Sequence, residues 1–301
     1  MNLFIKTIGF RCIKNKKQTD QLLEWILENQ DKRTIIPAPA DDTTYVQVWK
    51  KIGEGFGISI IGELREDDTV NIEYYFPYVR GANEAESLEF QVEKHSNKEA
   101  YSGVCENVNI GVSLIFYLQN IDEFITGDYS KEYYILGNDV KLGALAKNGT
   151  VLLELRKDEE QKKREQASNS RRNRLLQAAK EGDMKAIESL TLEDMDTYTK
   201  VTQRARREDI LSIVDTYFMP YGIESDQYEI LGTIYDVKVS ENILTKETVY
   251  LLSVLCNQIH IQVAIHKDDL MGEPKVGRRL KAKIWLQGEV QLIKWKEEQK
   301  S

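Results

Sequence analysis

IESLTLEDMDTYTKVTQRARREDILSIVDTYFMPY, Ile187–Tyr221, carries helical spacing between two halves that both read as rich in β-strand. Leu192, Met195, Tyr198 and Val201 recur at spacing three. Ile210, Leu211, Val214, Tyr217 and Phe218 gather on one side before Pro220 and Gly222 stop the pattern. Upstream, Leu175, Leu176 and Ala179 form a short stripe that Gly182 ends, since glycine takes the left-handed conformation past a helix end at no steric cost. Asp183 is placed to cap a segment in which Met184, Ile187 and Leu190 share a face. Thr191 with Asp194 resembles a capping box and starts a third segment. LLQAAKEGDMKAIESL looks like one ankyrin-like helix pair, but no second copy follows at a fixed period. A helical connector packed on its neighbours is therefore expected.

Before the connector, LFIKTIGF opens with strand-like residues, and Gln18 to Gln30 reads as a helix with Leu22, Leu23, Ile26 and Leu27 on one face and Thr19 or Asp20 as its cap. Pro37 and Pro39 mark a loop. TYVQVWKKI, FGISIIGEL, VNIEYYFPYV, SLEFQVEK, VNIGVSLIFYLQ, KEYYILG and VLLEL follow as strands separated by turn residues, with Asn148-Gly149 as a hairpin turn. Beyond the connector, YEILGTIYDVKV, ETVYLLSVL, QIHIQVAIHK and RRLKAKIWLQGEVQLI read as four long strands, with bulges or bends at Gly232 and Gly288.

The fold class is thus α+β, two β-rich domains joined by a helical connector. Residues 1–155 are an antiparallel sheet with one or two covering helices. Residues 156–222 are a charged linker, clearest at RKDEEQKKREQASNS, and the connector. Residues 223–301 suit a small closed barrel of the OB type.

The 301 residues carry a net charge of −8, and all of that acidity falls in residues 1–155. That half repels polyanions. Apolar runs are far shorter than the roughly 20 residues of a membrane helix. Lys6 inside the first apolar run, with basic residues after it, reverses the order of a secretory signal. Cys12, Cys105 and Cys256 make no paired framework. A cytoplasmic protein without membrane attachment is expected.

Catalytic motifs are wanting: there is no GxSxG, HExxH or Cys-x-x-Cys, and no catalytic, metal or cofactor-binding residue is assigned. His260 and His266 share strand parity with Cys256, but six residues of strand span about 20 Å, so the three cannot grip one zinc ion and are read as solvent-facing. The Gly53–Gly57 run is followed by a strand where a dinucleotide fingerprint needs a helix, so a hairpin is expected. The acidic pairs at Asp41-Asp42, Glu66-Asp67-Asp68, Glu193-Asp194-Asp196 and Asp268-Asp269 read as turns and caps.

One cluster carries a positive reading. Lys275, Arg278, Arg279, Lys281 and Lys283 lie near Trp285, Tyr228, Tyr235 and Tyr250, the pairing of basic groove and stacking rings with which OB-type barrels hold single strands. The competing reading is a charged edge strand over core aromatics, favoured because residues 223–301 have a net charge of only −1.

YSGVCENVNIGVSLIFYLQN (Tyr101–Asn120), ESLTLEDMDTYT (Glu188–Thr199), EDILSIVDTYFMPYGIESDQYEILG (Glu208–Gly232) and DLMGEPKVGRRLKAKIWLQG (Asp269–Gly288) resemble an uncharacterised family of bacterial proteins, mainly from Clostridia, of similar length. The resemblance implies a bacterial cytoplasmic protein and carries over no activity and no functional residue. A non-enzymatic interaction or structural protein, with a protein partner or self-association, is the first expectation; a weak binder of single-stranded RNA or DNA is the alternative.

Overall fold

The computed structural model describes residues 2–37, 44–82, 86–94, 100–107, 112–121, 135–155, 159–222 and 226–290. Leu3–Ile8 is a 3-10 helix, not the strand its residue types suggest. Asn2 caps it and Gly9 ends it at φ +87°. Phe4, Ile5, Thr7 and Ile8 are all buried, whereas a strand with one solvated face would expose alternate residues. Helix α1 (Lys16–Glu28) is capped by Asn15, whose side chain accepts from the Gln18 N–H at 2.9 Å; Thr19, one of the expected caps, is buried inside it.

Four antiparallel strands form the first sheet in the order β1 (Lys32–Pro37), β2 (Thr44–Gly53), β3 (Phe56–Leu64) and β4 (Val70–Val79). The Gly53–Gly57 run makes the β2–β3 hairpin, with Gly55 at φ +81°. Leu22, Leu23 and Ile26 of α1 share one core with Val46, Val48, Ile58 and Ile60 of this sheet.

The second sheet contains β5 (Glu86–Lys94), β6 (Tyr101–Asn107), β7 (Val112–Leu118), β8 (Ile135–Leu152), β9 (Tyr217–Pro220), β10 (Gln227–Glu241), β11 (Thr248–Cys256), β12 (Ile259–His266), β13 (Leu270–Met271) and β14 (Arg279–Val290). Five of these close on themselves. β10 pairs with β11, β11 with β12, β8 with β14 and β14 with β10, all antiparallel; β12 and β8 are parallel. The result is a five-stranded barrel filled by alternate residues: Leu142, Ala144 and Ala146 of β8, Ile261, Val263 and Ile265 of β12, Leu280, Ala282 and Ile284 of β14. β8 precedes the charged stretch that the sequence offers as a boundary, so the barrel draws on both sides of it.

Asn148-Gly149 is not a turn. β8 runs straight through it, and Asn148 sits opposite Lys283 beside a register shift. Gly149 serves packing instead: a Cβ there would stand 3.0 Å from Ile265 and 3.2 Å from Leu270 and Leu280. Gly288 likewise leaves room for the Phe116 ring, 2.4 Å from where a Cβ would be. In β10 the register shift falls between Ile234 and Asp236, just past Gly232.

Helix α2 (Glu159–Lys180) absorbs the charged stretch, and α3 (Met184–Ala205) returns antiparallel to it, joined by Arg171–Glu193 and Arg172–Asp194 ion pairs at 3.2 and 2.8 Å. Gly182 at φ +89° and the Asp183 cap make the turn as expected. Thr191 starts no new helix; its hydroxyl donates to Ile187 O one turn back, inside a continuous α3. The last segment is shorter than its spacing suggests: α4 covers Ile210–Ile213, and Tyr217 and Phe218 belong to β9.

Where the two sheets meet, buried side-chain amides join the shared apolar core. Gln47 donates to Ser59 Oγ (3.1 Å) and Gln119 O (3.0 Å). Gln119 donates to Val79 O (2.9 Å) and Gln287 Oε1 (2.7 Å), and Gln287 donates to Pro77 O (2.9 Å). All three glutamines are buried. Gln287→Leu removes the bond to Pro77 O and the acceptor of one Gln119 N–H, and should destabilise the protein by about 2–3 kcal/mol in chemical denaturation. A change within error would show that these bonds do not hold the sheets together.

Candidate functional site

The basic cluster lies on β14 and in the turn before it. β14 points Leu280, Ala282, Ile284 and Leu286 into the barrel, so Arg279, Lys281, Lys283 and Trp285 share its outer side. Arg279 is buried there, donating to Leu153 O (3.1 Å) and Val214 O (3.0 Å). It clamps the two ends of the helical segment to the barrel. Trp285 is buried too. Its indole N–H donates to Asp226 at 2.7 Å, and its ring lies 5.0 Å from Phe4 and 5.1 Å from Tyr117.

Lys281 and Lys283 do come together. They line a groove of about 690 Å³ with Glu229, Asp268, Asp269 and Met271. Lys281 pairs with Glu229 at 3.4 Å; Lys283 donates to the Tyr221 hydroxyl at 2.8 Å and stands 4.0 Å over its ring. Lys275 and Arg278 lie in the preceding turn, Lys275 paired with Glu273 at 2.8 Å and Arg278 donating to Glu273 O. Of the nearby aromatics, Tyr228 is inside the barrel, Tyr235 meets His260 edge-on at 5.6 Å, and Tyr250 packs on the core.

Asp41-Asp42 lies outside the described residues. His266 is buried rather than solvent-facing. Its Nδ1 accepts from the Asp268 N–H at 3.1 Å and lies 3.3 Å from Arg11 Nη1, and its Nε2 is 3.2 Å from Glu247. Arg11 also pairs with Asp268 (3.1 Å) and Asp269 (3.6 Å). The N-terminal segment is thereby tied to the end of β12, a contact invisible in sequence because Arg11 and His266 are 255 residues apart. Cys256 is buried in the barrel wall, its thiol against Tyr217 O and Leu231 O, and burial pushes it up to about 12, so it stays protonated at neutral pH. Among the described residues no cluster of three His, Cys, Asp or Glu could hold a metal ion. No helix among them is long and apolar enough to cross a membrane.

A cleft of about 1060 Å³ opens where the first sheet meets the barrel, lined by Trp49, Tyr78, Arg80, Gln119, Glu241 and Glu289. Burial raises the Tyr78 hydroxyl to about 12. The lining mixes both charge signs and singles out no ligand class.

Among the described residues, exposed large apolar side chains gather on α3. Ala186 and Leu190 are buried against α2. On the other side Met184, Leu192, Met195 and Tyr198 are 73%, 61%, 63% and 74% exposed, and Ile187 is exposed beside them. The sequence marked these residues by spacing but placed them against neighbours.

Fold and surface together define a closed β-barrel protein, flanked by a second sheet, that projects a helical hairpin. The chain belongs to the family described as a domain of unknown function, E. rectale gene description (DUF3881), whose profile matches residues 5–288. E. rectale is a member of the Clostridia, in line with the resemblance carried by the quoted segments. No curated protein and no solved structure matches the chain.

The groove also gives a pH dependence. Burial raises the Glu229 carboxyl, but the Tyr217 hydrogen bond (2.8 Å) and Lys281 outweigh it, so the group is held below its usual value. A carboxyl depressed in the folded state adds stability above its unfolded pKa and loses it as pH falls through the folded one. Glu229→Gln should therefore flatten the fall in thermal midpoint below about pH 4. Parallel acid limbs for both proteins would count against this assignment.

Proposed function

We propose that the chain is a non-enzymatic cytoplasmic protein that works by interaction, its two β-rich units presenting the α2–α3 hairpin to another protein surface. The observation that carries this is the exposed stripe Met184, Ile187, Leu192, Met195 and Tyr198 on one face of α3. A solvated helix face is normally charged or polar there, whereas a contiguous apolar stripe gains about 1.5–3 kcal/mol for each large side chain it buries.

The barrel supports the same reading by what it has already covered. We take it as OB-type, with β10, β11 and β12 as its first three strands and β8, supplied from earlier in the chain, as its fifth. Barrels of that type take oligonucleotides on the outer face of the second and third strands. Here Val249 and Leu251 of β11 and Ala264 of β12 lie in one core with Phe4, Ile5 and Ile8. The chain's own N-terminal segment occupies that face.

A second reading, a weak binder of single-stranded RNA or DNA, would use the groove at Lys281 and Lys283, where the Lys283 ammonium over the Tyr221 ring is the favourable sign. It is the less supported reading, since Arg279 and Trp285 are buried and Lys275 and Lys281 face carboxylates.

The test is recovery of the full chain from its host at low and high salt, with bound protein and nucleic acid both identified. The expected result is a salt-resistant protein, a further copy of the chain included. It should be lost when Leu192, Met195 and Tyr198 are all changed to Lys, with the denaturation midpoint unchanged. A chain with no associated protein at any salt, and monomeric at every concentration, would sink the proposal. RNA held only at low salt, and released by Lys281→Glu with Lys283→Glu, would put the second reading in its place.

A further inference from the structure

The charges along α3 indicate which surface fits the stripe. Residues 184–196 hold one lysine, Lys185, against Glu188, Glu193, Asp194 and Asp196, a net of −3. Residues 197–208, the last turns of α3 and the turn that follows it from Arg206, hold Lys200, Arg204, Arg206 and Arg207 against Glu208, a net of +3. The helix dipole accounts for charge only in the first and last turns, and Glu193, Asp194, Asp196 and Lys200 all lie between them. A parallel second helix would set like charge on like. An antiparallel one sets each acidic half on a basic half.

We propose that the stripe is covered by α3 of a second copy of this chain, antiparallel and related by a two-fold axis. The inference rests on the reading of α3 as a docking surface. A two-fold contact uses the same patch on both copies and so needs a self-complementary one; opposite-signed halves along an apolar stripe meet that condition. Glu193, Asp194, Asp196 and Arg204 already pair within the chain, with Arg171, Arg172, Lys200 and Glu208. Glu188, Arg206 and Arg207 have no ion-pair partner among the described residues and are left to pair across.

The stripe sets the register. An axis at Met195 places that residue on its own counterpart, Leu192 against Tyr198 of the second copy, and Glu188 opposite Thr202, one helical turn from Arg206 of that copy. A single pair of 22-residue helices covers less than a standard interface, so the dimer should be weak and dependent on concentration.

The experiment is sedimentation of the full chain over a range of concentrations. Apparent mass should rise from 34.8 kDa toward twice that value. Glu188→Arg or Arg206→Glu alone should weaken the association several-fold, and both in one chain should restore it, because each then meets the other across the axis. In a background with Cys12 and Cys105 changed to Ser, Met195→Cys should cross-link readily to itself and Met184→Cys should not, its two copies being about 33 Å apart along the helices.

Equal cross-linking at both positions means a parallel pair and overturns the inference. So does a dimer that survives Leu192→Lys, Met195→Lys and Tyr198→Lys together. A monomer at every concentration that still binds another protein through the stripe overturns the second copy while leaving the docking reading; a monomer with no protein partner overturns both.

Discussion

The pairing of β8 on both of its edges is the constraint from which the architecture follows. Its first residues bond to β5, and from Val140 onward it lies against β14 on one side while Leu142 to Ala146 lie against β12 on the other. Without it the ring of five has a gap between β12 and β14. Its composition suits a strand buried on both faces: Leu142, Ala144 and Ala146 point into the barrel, and Leu145 joins the second core with the first sheet. Gly143 lets β4 approach, since a Cβ there would stand 2.6 Å from Val79 O. Small residues at these positions are what allow one strand to serve two cores at once.

The glutamine network handles a different problem at the same junction. The ends of β4, β7 and β14 converge there, and carbonyls at Pro77, Val79, Gln119 and Val290 each accept from a side-chain amide. Amides suit them because each offers two N–H donors and an acceptor with no charge to desolvate. Asn120 completes the set, donating to Val290 O at 2.7 Å while its own oxygen accepts from Val290 N at 3.0 Å. Fully paired, such a network fixes the relative position of two sheets more narrowly than apolar contact, which tolerates sliding.

Much of the strand content was legible because alternation and turn residues report directly on a half-solvated pleat, as in VNIEYYFPYV and YEILGTIYDVKV. β8 was legible only at its two ends, in KEYYILG and VLLEL; its middle, buried on both faces, has no alternation, and its Asn-Gly pair mimics a turn. The local signal at Thr191 lost in the same way to a helix continuing in hydrogen-bonded register. For the basic strand, the shared parity of Arg279, Lys281, Lys283 and Trp285 could be read, but not what they face. Their partners are Leu153, Val214, Glu229, Tyr221 and Asp226, brought there only by the closed barrel. On α3 the spacing was visible and the direction was not. Which face is covered depends on α2, and its short stripe of Leu175, Leu176 and Ala179, half-buried in the structure, does not say which side of α3 it meets.

A barrel closed by a strand from the middle of the chain has a history during synthesis. Between the end of β8 at Leu152 and the end of β14 at Val290 lie 138 residues, which at about 5–20 residues per second take the ribosome roughly 7–28 s. For that interval β8, paired only with β5 along its first residues, is a strand with the rest of both edges open, the kind of template on which chains join one another. The long charged helix made directly after it is therefore well placed in time as well as in space: until β10 to β14 arrive, it keeps a soluble, strongly polar segment beside the unfinished edge.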